Sequence, residues 1–162
     1  DKGHVDVALA LVDKGADVNL QGNNGYSALM SACSKGYWEV AHVDVALALV
    51  DKGADVNLQD NEGDSALMLA CDKGHVEVAL ALVDKGADVN LQDNEGYSAL
   101  MLACSKGHVE VALALVDKGA DVNLLNNKGD SALKLACDHC NVDVLRVLND
   151  KGADMSVPVG RT

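Results

Sequence analysis

Two segments that lie end to end in the middle of the chain constrain its fold more than any other feature. Residues 60–92 and 93–125 are each 33 residues long and differ only at the pairs 64/97, 72/105 and 92/125. A fixed period of this length indicates a stacked repeat array, because one unit cannot bury an apolar face alone. The pattern continues through the rest of the chain as a partial unit (1–21), a unit with five extra residues (22–59), a terminal unit (126–158) and a tail (159–162). We therefore predict one elongated array over residues 1–162.

Each unit is predicted to contain a turn and two short helices. In the first of the two near-identical units, Ser65 is placed to cap a helix over 66–72, and Gly74 is placed to end it. Apolar residues recurring on one side predict a second helix over 76–84. The predicted fold is all-α, a solenoid of helix-turn-helix units joined by β-turn loops.

The acidic composition restricts the class of partner. The chain has 25 acidic and 13 basic residues, a net charge of −12 with neutral histidines. Such a surface repels phosphate groups, so nucleic acid and anionic membranes are poor partners, whereas basic peptides or proteins suit it. No apolar run approaches the roughly 18–20 residues that a membrane span requires.

Four of the five cysteines occupy one place in successive units: Cys33, Cys71, Cys104 and Cys137. Equivalent places in stacked helices lie about 10 Å apart, whereas a disulfide needs Cα atoms within about 7 Å of each other. We therefore predict four buried free thiols, and we expect the protein in a reducing intracellular compartment, the cytoplasm.

The units 60–92 and 93–125 share the pattern G-x-[S/T]-[A/P]-L-x-x-A-x-x-x-G-H-x-x-V…L-x-x-x-G-A-D-V-N, and the units 22–59 and 126–158 follow most of it. In this pattern, essentially the whole chain resembles the ankyrin-repeat family. It departs from the family's Thr-Pro-Leu-His helix start, which here reads Ser65-Ala66-Leu67-Met68 and similarly in the other units. The resemblance implies an ankyrin-repeat solenoid that binds proteins on a concave face, is not an enzyme, and uses no cofactor or metal.

Differences between units indicate where a partner binds, because the scaffold positions are nearly constant. The residue after each turn glycine alternates between tyrosine and aspartate, and the residue after each first-helix cysteine alternates between serine and aspartate. By resemblance, both places lie on the concave face, with the turn tips at its rim. The predicted partner-binding residues are Tyr26, Ser34, Asp64, Asp72, Tyr97, Ser105, Asp130 and Asp138, with Glu62 and Glu95 on the turn tips.

We therefore predict a non-catalytic module that binds a protein or basic peptide on a concave face, where tyrosines supply large contact areas with polar tips. One alternative is a solvated acidic face without a ligand. Another is a structural scaffold or self-associating array, whose near-identical units reflect tandem duplication or a consensus-style design.

The insertion in the unit 22–59 reads Tyr37-Trp38-Glu39-Val40-Ala41. It either extends the second helix or bulges as a loop. It contains the only tryptophan, Trp38, which joins the predicted partner-binding residues. A functional contact and an accidental partial duplication both explain it.

The outer flank of each second helix carries a leucine, and the last unit has Arg146 at this place. The leucines of this row are Leu9, Leu47, Leu80 and Leu113. These leucines either pack between neighbouring second helices, which we favour, or form an apolar strip for a partner.

The two ends of the array differ in polarity. Lys134, Arg146 and Asn149 replace apolar residues of earlier units and predict a polar C-terminal cap. Residues 4–13 keep the internal sequence, so we expect partial exposure of Val5, Ala8, Leu11 and Val12. This N-terminal helix then either frays or is covered by a second copy in a homodimer.

Other residues with reactive side chains have structural explanations. Asp138-His139-Cys140 combines a base with a nucleophile, but no third group orients the histidine, so we predict a loop. Asp60 to Asp64 resembles a calcium loop, but its glycine is fourth rather than sixth, so we predict a turn. The histidines that start the second helices are expected to make structural hydrogen bonds: His4, His42, His75 and His108.

Three asparagines follow Ala-Asp-Val in the exit loops: Asn57, Asn90 and Asn123. By resemblance to ankyrin repeats, they are predicted substrates of an asparaginyl hydroxylase. The alternative, which we favour, is that they only hydrogen-bond the loop.

Overall fold

The computed structural model describes residues 7, 10–34 and 40–154, with only the backbone for 40–42, and forms an array of paired helices. The first helices of the units are α1 (Ala28–Ser34), α3 (Ala66–Lys73), α5 (Ala99–Lys106) and α7 (Ala132–Asp138). The second helices are α2 (Val40–Asp51), α4 (Val76–Asp84), α6 (Val109–Asp117) and α8 (Val142–Asp150). Residues 10–13 are also helical. Among the described residues, none of the helices is long and apolar enough to cross a bilayer.

Two rows of helices make up the array. Each first helix packs against the second helix of its own unit and against the first helices of adjacent units. The second helices form a parallel row, each in contact with its neighbours. Strand-like pairing in the described residues is limited to isolated bridges at the turns, such as that between Gln59 and Ser65. The predicted all-α solenoid is confirmed.

Local sequence determines where the helices begin and end. The Ser65 hydroxyl oxygen accepts a hydrogen bond from the Met68 amide at 3.3 Å, which caps α3. Gly74 ends α3 in the left-handed conformation, with φ of 76°. The second predicted helix, over 76–84, has the predicted bounds, and α3 extends one residue beyond its predicted end at residue 72.

The prediction that all four periodic cysteines are buried is wrong for the last of them. Cys33, Cys71 and Cys104 are buried, whereas Cys137 is exposed. Cys104 lies in α5, which packs against α7 in the next unit. Among the described residues no further first helix packs beyond α7, so Cys137 lacks the neighbour that covers its equivalents.

The insertion lengthens a helix. Helix α2 has 12 residues, whereas α4, α6 and α8 have nine each. The additional residues, 40–42, precede Val43, which is equivalent to the first residue of α4. The part of the insertion that is described therefore extends the second helix, and Trp38 lies outside the described residues.

Leu47 of the leucine row packs between neighbouring second helices, the arrangement that we favour for the row. Leu47, Leu80 and Leu113 are half-buried. Leu47 lines a narrow groove between α2 and α4, together with Val78 and Ala81. Leu9 lies outside the described residues, and Arg146 at the end of the row is exposed.

The ends of the array expose apolar side chains, as expected at the N-terminal end. Leu11 is 56% exposed and Val12 is half-buried, whereas Val5 and Ala8 lie outside the described residues. At the other end Arg146 and Asn149 are exposed. The polar cap there is incomplete, because Val142 is 67% exposed.

Side-chain ladders join the units across the surface. The lysine after each second helix pairs with the aspartate that ends the second helix of the preceding unit, as in Lys85–Asp51 at 2.7 Å and Lys118–Asp84 at 2.6 Å. The side-chain amide of Gln59 donates a hydrogen bond to the backbone carbonyl of Gln92, one unit later, at 3.0 Å. The repeat period thus aligns each donor with an acceptor in the adjacent unit.

Two glycines separate the effect of the contact between the turns of adjacent units from the effect of backbone strain alone. Gly63 and Gly86 both have positive φ, +86° and +95° respectively. A Cβ added to Gly63 would lie 2.7 Å from the Asn94 backbone nitrogen in the next unit, whereas a Cβ added to Gly86 would have nothing within 4 Å. We expect Gly86→Ala to lower the free energy of unfolding by about 1–2 kcal/mol through strain. Gly63→Ala should lower it further, because it also separates the turns of two units. Equal urea midpoints, measured by circular dichroism, would contradict a stabilising role for this contact.

Candidate partner-binding face

The same type of tight turn in each unit holds the predicted binding residue that follows the turn glycine. The backbone carbonyl of Asp64 accepts a hydrogen bond from the Asp60 amide at 3.0 Å, and that of Tyr97 accepts one from the Asp93 amide at 2.9 Å. The side chains at this place are half-buried in all four units: Tyr26, Asp64, Tyr97 and Asp130. The alternation of tyrosine and aspartate therefore changes the chemistry of the surface while the turn stays the same.

Asp64 lies in a group of carboxylates. Burial is the largest reason that its pKa is raised to about 6. Four nearby carboxylates raise the pKa further, in decreasing order Asp60, Asp93, Glu62 and Asp72. The structure thus brings three predicted residues of one unit, at positions 62, 64 and 72, within electrostatic range of each other. It adds Asp93 from the next unit, so the group crosses a unit boundary.

Tyr26 faces the unit that follows its own. Burial is the largest reason that the pKa of its hydroxyl is raised, and Asp60, Asp64 and Glu62 raise it further. The ammonium of Lys73 has the opposite effect on this pKa. The tyrosine of one unit and the acidic group of the next therefore form a continuous surface.

Carboxylates at the ends of two first helices are ion-paired. Asp72 lies 2.8 Å from Lys73 Nζ and 3.5 Å from Lys106 Nζ. Burial would raise the pKa of Asp72, but the hydrogen bonds and charges of these two lysines outweigh it and lower the pKa. Asp138 pairs with Lys134 one turn earlier in α7. This row of the face is consequently less acidic than its aspartates suggest.

These lysines were not predicted to be part of the face. A signal was present, because a lysine follows the alternating serine or aspartate at Lys73 and Lys106. Lysine side chains are long and flexible, however, so the period does not predict which carboxylate each one reaches. Lys106 reaches back to Asp72 in the preceding unit, a contact that depends on how closely the units stack.

The remaining predicted residues differ in how free they are to bind. The hydroxyls of Ser105 and Ser34 donate to carbonyls three residues earlier in their own helices, at 2.9 and 3.4 Å. Glu62 and Glu95 are exposed at the turn tips. Trp38 lies outside the described residues.

The predicted hydroxylation sites hold adjacent units together. The side-chain oxygen of Asn57 accepts a hydrogen bond from the Asp88 amide at 2.8 Å, and its side-chain nitrogen donates to the Gly86 carbonyl at 3.2 Å. Asn90 and Asn123 accept equivalent hydrogen bonds from the next unit, each at 2.8 Å. The three asparagines are exposed despite these bonds. Their hydroxylation stays a prediction.

Histidine and aspartate side chains with catalytic potential have structural partners. His108 Nε2 lies 3.1 Å from the Asp72 carbonyl oxygen, which confirms a structural hydrogen bond for this histidine. In the triplet 138–140, Asp138 pairs with Lys134, and His139 Nδ1 donates to a carbonyl four residues earlier at 2.9 Å. Within the described part of the chain, no three His, Cys, Asp or Glu side chains are grouped as metal ligands.

Comparisons with known proteins identify the repeats. A family model described as "Ankyrin repeats (3 copies)" matches residues 1–93 and 81–158. Over 39 residues the chain is 54% identical to a probable E3 ubiquitin-protein ligase, XBOS33, of Oryza sativa subsp. japonica. Over an alignment of the same length it is 49% identical to the E3 ubiquitin-protein ligase XBAT33 of Arabidopsis thaliana. Each alignment covers 24% of this chain and 8% of the length of the relative. Ankyrin repeats generally mediate protein–protein interactions and are typically non-catalytic.

Two aspartates of this face, Asp64 and Asp72, are expected to change the free energy of unfolding with pH in opposite directions. The pKa of Asp64 in the folded protein, about 6, lies above its ordinary value of 3.8. Asp64 therefore stabilises the fold below about pH 4, and this contribution is lost as the pH rises to about 6. Asp64→Asn should raise the free energy of unfolding at pH 7 by about 1 kcal/mol, a value reduced because the side chain is half-exposed. The gain should vanish below about pH 4.

Asp72→Asn provides the control of opposite sign. The lowered pKa of Asp72 means that its contribution is present above its ordinary pKa and is lost as the pH falls. This variant should be less stable than the wild type at pH 7, with a difference that shrinks in acid. Urea unfolding at a series of pH values measures both effects. The same sign of pH dependence in the two variants would contradict the electrostatic assignment.

Proposed function

The chain belongs to the ankyrin-repeat family, and from this premise we propose that it is a non-catalytic module that binds a basic segment of a partner protein on its concave face. The observation that carries the proposal is the alternation of tyrosine and aspartate at places held by the same turn, on an otherwise nearly constant scaffold. The buried thiols Cys33, Cys71 and Cys104 support a reducing intracellular location, the cytoplasm.

The carboxylates around Asp64 favour a cationic partner. Their negative charges are crowded enough to contribute to the raised pKa of Asp64, although burial contributes more. A lysine or arginine side chain placed among them relieves that repulsion and lowers the pKa again. Binding then releases a proton, so affinity should rise between about pH 5 and pH 7.

Tyr26 supplies the apolar part of the same surface. Its ring borders the acidic group of the next unit, so the aliphatic stem of a bound lysine or arginine can lie against the ring while the charged end reaches Asp64. Tyr97 occupies the equivalent place two units later, and Asp130 occupies the place of Asp64 in the unit that follows Tyr97. Asp72 and Asp138 contribute less, because each already has a lysine partner.

Matched charge changes on two surfaces test this proposal. The first double variant, Glu62→Gln with Glu95→Gln, removes two charges from the turn tips. The second, Glu77→Gln with Glu110→Gln, removes two charges from the second helices of the same two units. All four glutamate side chains are exposed. The probe is a short peptide of alternating lysine and glycine, measured by calorimetry at low and high salt. We expect the turn-tip variant to bind at least about fivefold more weakly than the helix variant, since only the former faces the peptide.

Tyrosine substitutions provide an independent arm of the same experiment. Tyr26→Ala with Tyr97→Ala should weaken binding without changing the net charge, because the contact area of the rings is lost. Equal affinities for the two double glutamine variants, or unchanged affinity after both tyrosine substitutions, would place the binding site elsewhere.

Self-association is the second candidate function, favoured by apolar exposure at the N-terminal end. Val7 is 60% exposed and Leu11 is 56% exposed on the same short segment. Apolar side chains grouped in this way suit contact with the same segment of a second copy in a homodimer.

Sedimentation equilibrium of the wild type and of Leu11→Lys tests self-association. A dimer that dissociates in the variant would support the second candidate, because two buried ammonium groups would face each other across the contact. Lys14→Leu, nearby and exposed, is the control that leaves Leu11 intact. A wild-type monomer at high concentration would exclude the homodimer.

A further inference from the structure

Two cysteines of the last unit differ from the other described cysteines in being exposed. Cys137 and Cys140 are both exposed free thiols, whereas Cys33, Cys71 and Cys104 are buried. Burial raises the pKa of the Cys33 and Cys104 thiols to about 12, which keeps them protonated and unreactive at neutral pH. Reaction with a small thiol reagent is therefore confined to the last unit.

The backbone holds these two cysteines close together. The Cys140 amide donates a hydrogen bond to the Cys137 carbonyl at 3.0 Å, which closes a turn at the end of α7. Such turns bring Cα atoms three residues apart to within about 7 Å of each other. A disulfide requires a Cα separation of about 4.4–6.8 Å, a range that lies within what such a turn allows.

Cys140 occupies a position where the other units have glycine. Gly74 and Gly107 end the equivalent helices with φ of 76°, and Cys140 is the only described residue other than glycine with positive φ, at 54°. A side chain in this left-handed conformation is strained, because its Cβ lies too close to the following carbonyl oxygen. The chain thus places a thiol in a turn that favours glycine, at a separation from Cys137 that suits a covalent bond.

We propose that Cys137 and Cys140 form a dithiol site that low-molecular-weight disulfides, of the glutathione class, convert to an intramolecular disulfide. The Cys137 thiolate attacks one sulfur of the small disulfide, whose S–S bond breaks and releases one small thiolate. The Cys140 thiolate then attacks the Cys137 sulfur, forms the Cys137–Cys140 bond and releases the second small thiolate. Two protein thiols are oxidised, one small disulfide is reduced to two thiols, and the two protons leave with them.

The side chains nearest to the two cysteines have partners of their own. Lys134 is ion-paired with Asp138. His139 does not separate the two cysteines, because its ring is held by a carbonyl of α7.

Incubation of the reduced protein, residues 1–162, with oxidised glutathione, followed by acid quenching and intact mass spectrometry, tests the proposal. We expect a loss of about 2 Da and no lasting adduct, because the second step removes the glutathione. After unfolding, the three buried cysteines should be alkylated, and peptide mapping should locate the bond at residues 137–140.

Cys140→Gly is the matched variant, because it restores the residue that ends the equivalent helices and removes only the second thiol. It should keep a glutathione adduct on Cys137, at a level at least tenfold above that of the wild type. Wild-type protein that accumulates adducts without the loss of mass would overturn the proposal. A disulfide between two chains, or no reaction at Cys137 and Cys140, would overturn it equally.

Discussion

Apolar residues in this protein are buried by contact between units, and the rest of the structure depends on that stacking. A first helix such as α3 contacts the helices before and after it, so its leucine, methionine and cysteine side chains lie between layers. Exposed ion pairs such as Lys85–Asp51 contribute at most about 1 kcal/mol each. Buried layers therefore supply the stability, while the ladders fix the register between adjacent units.

A stacked scaffold of this kind separates folding from surface chemistry. The turn that carries Asp64 is the turn that carries Tyr97, with the same backbone hydrogen bond in each. Substitutions at this place therefore alter what the face presents and leave the layers intact. Stacking also decides how charges combine, since the acidic group at Asp64 includes Asp93 of the next unit, and Asp72, paired with Lys73 of its own unit, also pairs with Lys106 of the next.

Residues at equivalent places in different units acquire different properties where their packing differs. Cys104 is buried between α5 and α7, whereas Cys137, at the equivalent place, is exposed. The chemical difference between an inert thiol and an accessible one follows from the presence or absence of a covering helix. Leu11 and Val142 are exposed at opposite ends of the described array.

The sequence by itself determined the period, the helix bounds and the turns, because these depend on local patterns such as the Ser65 cap and the Gly74 stop. It also indicated which positions vary on the constant scaffold, although their role in binding stays a proposal. Only the tertiary structure decided that Lys106 reaches Asp72, that residues 40–42 lengthen a helix, and that Cys137 is exposed. Each of these depends on packing between units, which the local sequence of a single unit does not determine.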